Sequence, residues 1–140
     1  ALFAAERLEH LTNAQTGVLR YLKNDTQVIC DRYYLSTYAY QSVAVDLDWT
    51  MALNKQAALM AKPDVHIFLD IAVDTALARI ARNREHMDIY ETKERLEETR
   101  TRYLEVIEKL KDTENIVIIN AEQSPEEIAR DIWESVKYLF

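Results

Sequence analysis

Glycine is nearly missing from these 140 residues: Gly17 stands alone, beside two prolines (Pro63 and Pro125) and one cysteine, Cys30. A Walker A loop needs two glycines ahead of a Lys-Ser/Thr pair, because backbone N–H groups must close on phosphate, and a dinucleotide fingerprint needs three. Neither can exist in this chain. A single cysteine excludes an internal disulfide and a thiolate zinc cluster. His10, His66 and His86 are too scattered to point to a metal site. No apolar run approaches the roughly 18 residues of a membrane span and no secretory signal is visible, so a globular cytoplasmic protein with no membrane partner is expected. Basic charge is also in deficit: 17 Lys and Arg against 24 Asp and Glu leave −7, which disfavours a broad nucleic-acid surface.

What remains is 49% apolar and 29% charged, enough to bury one core and, at this length, one domain, residues 1–140. Three short β-branched runs stand out: Gln27–Cys30, Val65–Leu69 and Asn115–Ile119. Each is nearly continuous in apolar character, which suits strands covered on both faces. Helical patterns follow them. Asp74 is expected to cap a helix through Thr75–Ile80, and Ser124 to cap the last helix with Pro125 at its first position and Glu127 completing a capping box. A long charged helix begins near Thr92, its apolar stripe drawn by Leu96, Tyr103, Val106, Ile107 and Leu110. Strands alternating with helices predict an α/β fold with a parallel sheet flanked by helices. Cys30 is expected to be a buried small hydrophobe, and Trp49 and Trp133 to pack on helices.

Ligands of such folds bind outside the carboxyl ends of the strands. The first exit is the richest: Asp31 and Arg32 stand side by side, followed by Ser36 with Tyr40 and Thr37 with Gln41, each pair four residues apart and sharing a face if helical. A planar guanidinium suits phosphate, and a neighbouring carboxylate can hold that fork or coordinate magnesium. The same residues also suit an ion pair closing a strand, with the tyrosines packed on the core. At the second exit Asp70 can approach magnesium or cap the following helix, the structural role being favoured; the third exit carries Asn120 and Ala121.

Asp31-Arg32-Tyr33, then Ser36 and Ala39-Tyr40-Gln41, resembles the signature of thymidylate kinases, nucleoside monophosphate kinases that phosphorylate dTMP with ATP. Leu2-Phe3-Ala4-Ala5-Glu6-Arg7 is similar to the family's dTMP-binding helix, and Lys62-Pro63-Asp64, Asp70, Asn120-Ala121 and Ser124–Glu127 match further along. The likeness runs through essentially the whole chain in order. It implies a P-loop-type nucleoside monophosphate kinase fold whose first two strands and P-loop are missing from this sequence. It also implies substrate roles: Phe3 stacking on thymine, Arg7 bonding the base or supporting the phosphate, Tyr40 beneath the sugar, Thr37 and Gln41 at the base edge, and Ser36 lining the site. Arg32 would bridge the dTMP phosphate and the transferred group, with Asp31 orienting Arg32 or a water on the Mg2+ that accompanies ATP. Asn120 and Ala121 would lie on the ATP side, and a homodimer is the common assembly of relatives.

Residues 79–102 carry +1 while the rest of the chain carries −8, placing cations where a phosphate-closing lid, approximately residues 82–95, is expected. The resemblance makes this segment the lid and Arg82 and Arg84 the candidates to reach ATP; Lys93 to Arg102 read better as a solvated helix face laced with Glu–Arg pairs. Two departures from the family pattern bear on the lid: Ile89 replaces a common arginine, and Ser42-Val43-Ala44 replaces glycines. The chain opens at Ala1 within a helical pattern, so a piece of a longer polypeptide is expected. The resemblance implies that it lacks a continuous sheet and is inactive alone, because in the family the absent first strand sits between those ending at Asp31 and Asp70. Deoxynucleoside kinase and a non-catalytic module of kinase descent are the alternative readings.

Overall fold

A computed structural model of the chain describes residues 1–83 and 92–140. It falls into two compact units, residues 1–62 and 63–140.

The first unit is helical: α1 (Leu2–Thr12), α2 (Val18–Leu22), α3 (Tyr34–Gln41) and α4 (Leu47–Met60). Asn13 turns the chain after α1, its Oδ1 accepting the N–H groups of Gln15 and Thr16, both at 3.0 Å. Gly17 closes that turn against Asn13; a Cβ there would lie 2.4 Å from Asn13 O, so a side chain has no room. Asp46 caps α4 by accepting the Trp49 N–H at 2.9 Å. Leu11, Tyr34, Leu35, Tyr38, Ala39 and Ala57 form the buried centre, so α3 shows its tyrosine-rich face to α4.

The second unit is α/β. Strands β1 (His66–Asp70) and β2 (Ile116–Asn120) pair in parallel, His66 opposite Ile116 and Asp70 opposite Asn120. Helices α5 (Val73–Asn83) and α6 (Lys93–Leu110) lie between them in sequence, and α7 (Pro125–Val136) packs against β2. Val106, Ile107 and Leu110 of α6 are buried, and Tyr103 stacks on Phe68 of β1 with ring centres 5.1 Å apart. Thr92 accepts the Arg95 N–H as the α6 cap, and Ser124 and Glu127 form the expected capping box on α7.

The parallel sheet flanked by helices is therefore as the alternation of patterns predicts. The first predicted strand is not: Gln27–Cys30 is irregular, and Ile29 is 99% exposed. β-Branched residues favour extended backbone, but a strand exists only where a neighbour completes its ladder, and among the described residues none does. Cys30 is accordingly exposed rather than buried. Asp74 sits inside the first turn of α5, since Ala72 O accepts the first helical N–H, from Ala76. Trp49 and Trp133 are half exposed; Trp133 packs on Phe140 at 5.7 Å. No helix among the described residues is long and apolar enough to cross a membrane.

Candidate functional site

The first unit brings several candidate residues onto one set of contacts. Arg7 of α1 donates to Thr37 Oγ1 of α3 at 2.5 Å and to Asn54 Oδ1 of α4, and reaches Phe3 O at 3.5 Å. Its guanidinium also lies 5.5 Å from the centre of the Tyr33 ring. Three helices thus converge on one cation. Burial pulls the Arg7 guanidinium below its ordinary value, opposed first by Tyr33, and pushes the Tyr33 phenol up to about 12. Tyr33 stays neutral and donates its hydroxyl to Ala57 O at 3.2 Å. The three Arg7 bonds use three of its five N–H donors.

Asp31 and Arg32 stand exposed just before α3. Arg32 has φ 65, a left-handed conformation unusual for a side-chain-bearing residue and costing on the order of 1 kcal/mol. That backbone aims its guanidinium over Tyr40, 5.3 Å from the ring centre. Cys30 Sγ donates to Arg32 O at 3.1 Å, and partial desolvation of the thiol in this otherwise exposed residue pushes it up, so Cys30 braces the turn as a protonated group. Helix α3 confirms the four-residue pairings as face-sharing. Thr37 is buried against Arg7, Ser36 and Gln41 are half buried, and Tyr40 is 47% exposed. Phe3 is 60% exposed, one turn before Arg7 on α1.

In the second unit Arg82 is exposed in the last turn of α5. Arg84 and Ile89 lie outside the described residues. Asn120 ends β2 exposed and Ala121 follows buried, its N–H on Asp70 O at 2.7 Å. Asp70 forms an ion pair, a role other than the helix cap expected of it: its carboxylate accepts both Nε and Nη2 of Arg100, at 2.7 and 2.9 Å, which holds it below the ordinary carboxylate value. Lys93 bonds Asp74 at 2.7 Å. Lys93 and Arg100 therefore tie α6 to neighbouring elements, and the in-helix pairing expected from the sequence is present beside them, Lys93 with Glu97 at 4.0 Å and Arg102 with Glu105 at 2.8 Å. A cavity of about 130 Å³ beside this ion pair is lined by Phe68, Val73, Ala76, Leu96 and Tyr103.

Asn54 and Thr50, both buried on α4, are the site residues that spacing did not reveal. The signal was present: two polar side chains four apart on a helical face that continues as Ala57 need partners inside. Thr50 and Asn54 bond successive turns, Asn54 Nδ2 donating to Thr50 O at 2.8 Å, which leaves Oδ1 aimed at Arg7.

Among the described residues no group of three or more His, Cys, Asp or Glu side chains could hold a metal ion unaided. A magnesium ion that arrives on nucleotide phosphates needs only one or two protein carboxylates, and exposed Asp31 beside Arg32 fits that smaller demand.

Comparison with known proteins gives one consistent result. The family model described as thymidylate kinase matches residues 1–132. The chain is 36% identical over 140 residues to a probable thymidylate kinase of Sulfolobus acidocaldarius, covering 99% of this chain and 66% of that protein. It is 33% identical over 135 residues to a probable thymidylate kinase of Methanococcus aeolicus (94% of this chain, 64% of that one). With a thymidylate kinase of Rhodopseudomonas palustris it shares 37% identity over 144 residues, covering 97% of this chain and 60% of that one. The chain thus spans a little under two thirds of the length of these relatives.

Proposed function

Since the chain belongs to the thymidylate kinase family, we propose that the full-length protein transfers the γ-phosphoryl group of ATP to dTMP, giving dTDP and ADP. The observation that carries this reading is Arg32: strained backbone holds its guanidinium 5.3 Å over the Tyr40 ring. An aromatic face that carries a sugar and a cation that meets its phosphate are what a nucleoside monophosphate demands of one site.

In this reading Tyr40 lies beneath the deoxyribose and leaves no room for a 2′-hydroxyl. Phe3 stacks on thymine, Thr37 and Gln41 face the base edge, and Ser36 lines the site. Arg7 contributes its remaining N–H donors while bracing Thr37. An oxygen of the dTMP phosphate, already anionic, forms the new bond to the γ-phosphorus; the bond from that phosphorus to the β,γ-bridging oxygen breaks, and ADP leaves with the electron pair. No general base is needed. Arg32 bridges the acceptor phosphate and the migrating group, so its work is positioning and charge neutralisation. Asp31 would hold the Mg2+ that accompanies ATP, or a water on it, and the ion would supply charge neutralisation for the ATP phosphates. Arg82 and Arg84, from a lid at about residues 82–95, reach the ATP phosphates on closure, while Asn120 and Ala121 serve on the ATP side. Residues 1–140 are taken as one partial domain of a cytoplasmic homodimer, and exposed Trp49, Leu59 and Met60 on α4 support the association of two copies.

A coupled assay of the full-length protein against dTMP, dUMP, dCMP and deoxynucleosides tests the proposal. Turnover of dTMP is expected. Turnover of a deoxynucleoside without dTMP would move the protein to the deoxynucleoside kinases, and no turnover of any would leave a non-catalytic module.

A further inference from the structure

The turn that leaves β2 is gripped by one side chain of α5. Arg79 Nη1 donates to Ala121 O at 2.8 Å, while Nη2 reaches Gln123 O at 3.2 Å and Glu122 O at 3.5 Å. The helix holds the turn from its other end as well: Glu122 Oε1 accepts the Ala72 N–H at 2.7 Å. That bond, followed by one from Thr75, keeps the Glu122 carboxyl below its ordinary value. Within the turn, Asn120 Oδ1 accepts the Glu122 N–H at 2.9 Å and Asn120 O accepts Gln123 Nε2 at 3.0 Å. Ala121 is buried, so its carbonyl cannot simply fall back on water.

Three successive carbonyls beyond the end of a strand have no ladder to join. A guanidinium satisfies several from one place because its N–H groups diverge in a plane, whereas an ammonium is a point charge on a flexible stem. Turns at the carboxyl ends of parallel strands are also where ligands of this architecture sit. Arg79 lies three residues before Arg82, so one helix carries both the grip on this turn and a cation at the start of the lid segment.

We propose that Arg79 is a positioning residue for ATP: without touching the nucleotide, it fixes the turn Asn120–Gln123 on the ATP side and holds it in register with Arg82. The proposal rests on the assignment of Asn120 and Ala121 to the ATP side.

The test compares full-length wild type with Arg79→Ala. ATP affinity is measured by calorimetry without acceptor, and both KM values by coupled assay. The expected result is a rise of about tenfold in the Kd and KM for ATP, about 1.4 kcal/mol, with the KM for dTMP within about twofold of wild type. Arg79→Lys, able to satisfy one carbonyl, falls between, and it carries the test alone if Arg79→Ala does not fold. An unchanged ATP Kd in a folded variant, or parallel rises for ATP and dTMP, overturns the proposal. Failure of the phosphoryl-transfer reading looks different: wild type binds ATP and leaves dTMP untouched, and the two ATP Kd values still decide the role of Arg79. Wild type that binds no ATP overturns both.

Discussion

Arg7 and Thr37 meet through a 2.5 Å hydrogen bond although thirty residues separate them, and Asn54 closes the same guanidinium from a third helix. Thr37 and Asn54 are buried, so the bonds hold where water cannot replace them. Arg7→Ala should lower stability by about 2 kcal/mol, because it strands two buried oxygens as well as deleting a charged donor. Thr37→Val keeps the shape and removes one acceptor, for a loss of about 1 kcal/mol. Urea unfolding of the two single variants and the double variant checks both values. Additive losses would show that the bond contributes no coupling.

Gly17 is required by space rather than by dihedral freedom. A methyl group there meets Asn13 O at 2.4 Å and Asn13 N and Leu11 O at 2.7 Å, all backbone. Gly17→Ala should therefore cost about 2 kcal/mol, as overpacking does. A lowered melting temperature is the readout. An unchanged one would show that the turn after α1 yields easily.

The pairing of Asp70 with Arg100 has a definite pH signature. Arg100 holds the Asp70 carboxyl below its ordinary 3.8 in the folded chain, so the pair stabilises at neutral pH and its contribution fades as pH falls below that value. With both groups partly exposed, the contribution is about 1 kcal/mol. Asp70→Asn should thus be less stable than wild type at pH 7, with the gap closing toward pH 3. A gap that stayed constant across that range would assign the loss to packing.

Local signals in the sequence located local features. Ser124 caps the helix expected of it, with its capping box, because that signal lies within four residues, and α6 begins at Thr92 as its pattern predicts; Asp74, expected as a cap, lies inside the first turn of α5. The β1 and β2 runs are strands because each supplies the other's ladder. Gln27–Cys30 is likewise short and β-branched and forms no strand, since pairing is a property of the neighbour and not of the run. The site divides in the same way. Ser36 with Tyr40 and Thr37 with Gln41 could be read as face-sharing pairs from a motif eleven residues long, whereas the seat of Arg32 over Tyr40 could not. Asn54, forty-seven residues from Arg7, could be read only as a buried polar group in need of a partner. The role of Arg79 in gripping the turn after β2 was hidden because backbone carbonyls leave no mark in a sequence.

The central claim, that Arg32 carries charge neutralisation in phosphoryl transfer to dTMP, is tested most directly by the turnover number of full-length Arg32→Ala with saturating ATP and dTMP. A fall of about 10²- to 10³-fold is expected, in the range seen when a donor aimed at developing charge is removed. Because Arg32 is exposed, the melting temperature should hardly move. A turnover number equal to that of wild type would contradict the account.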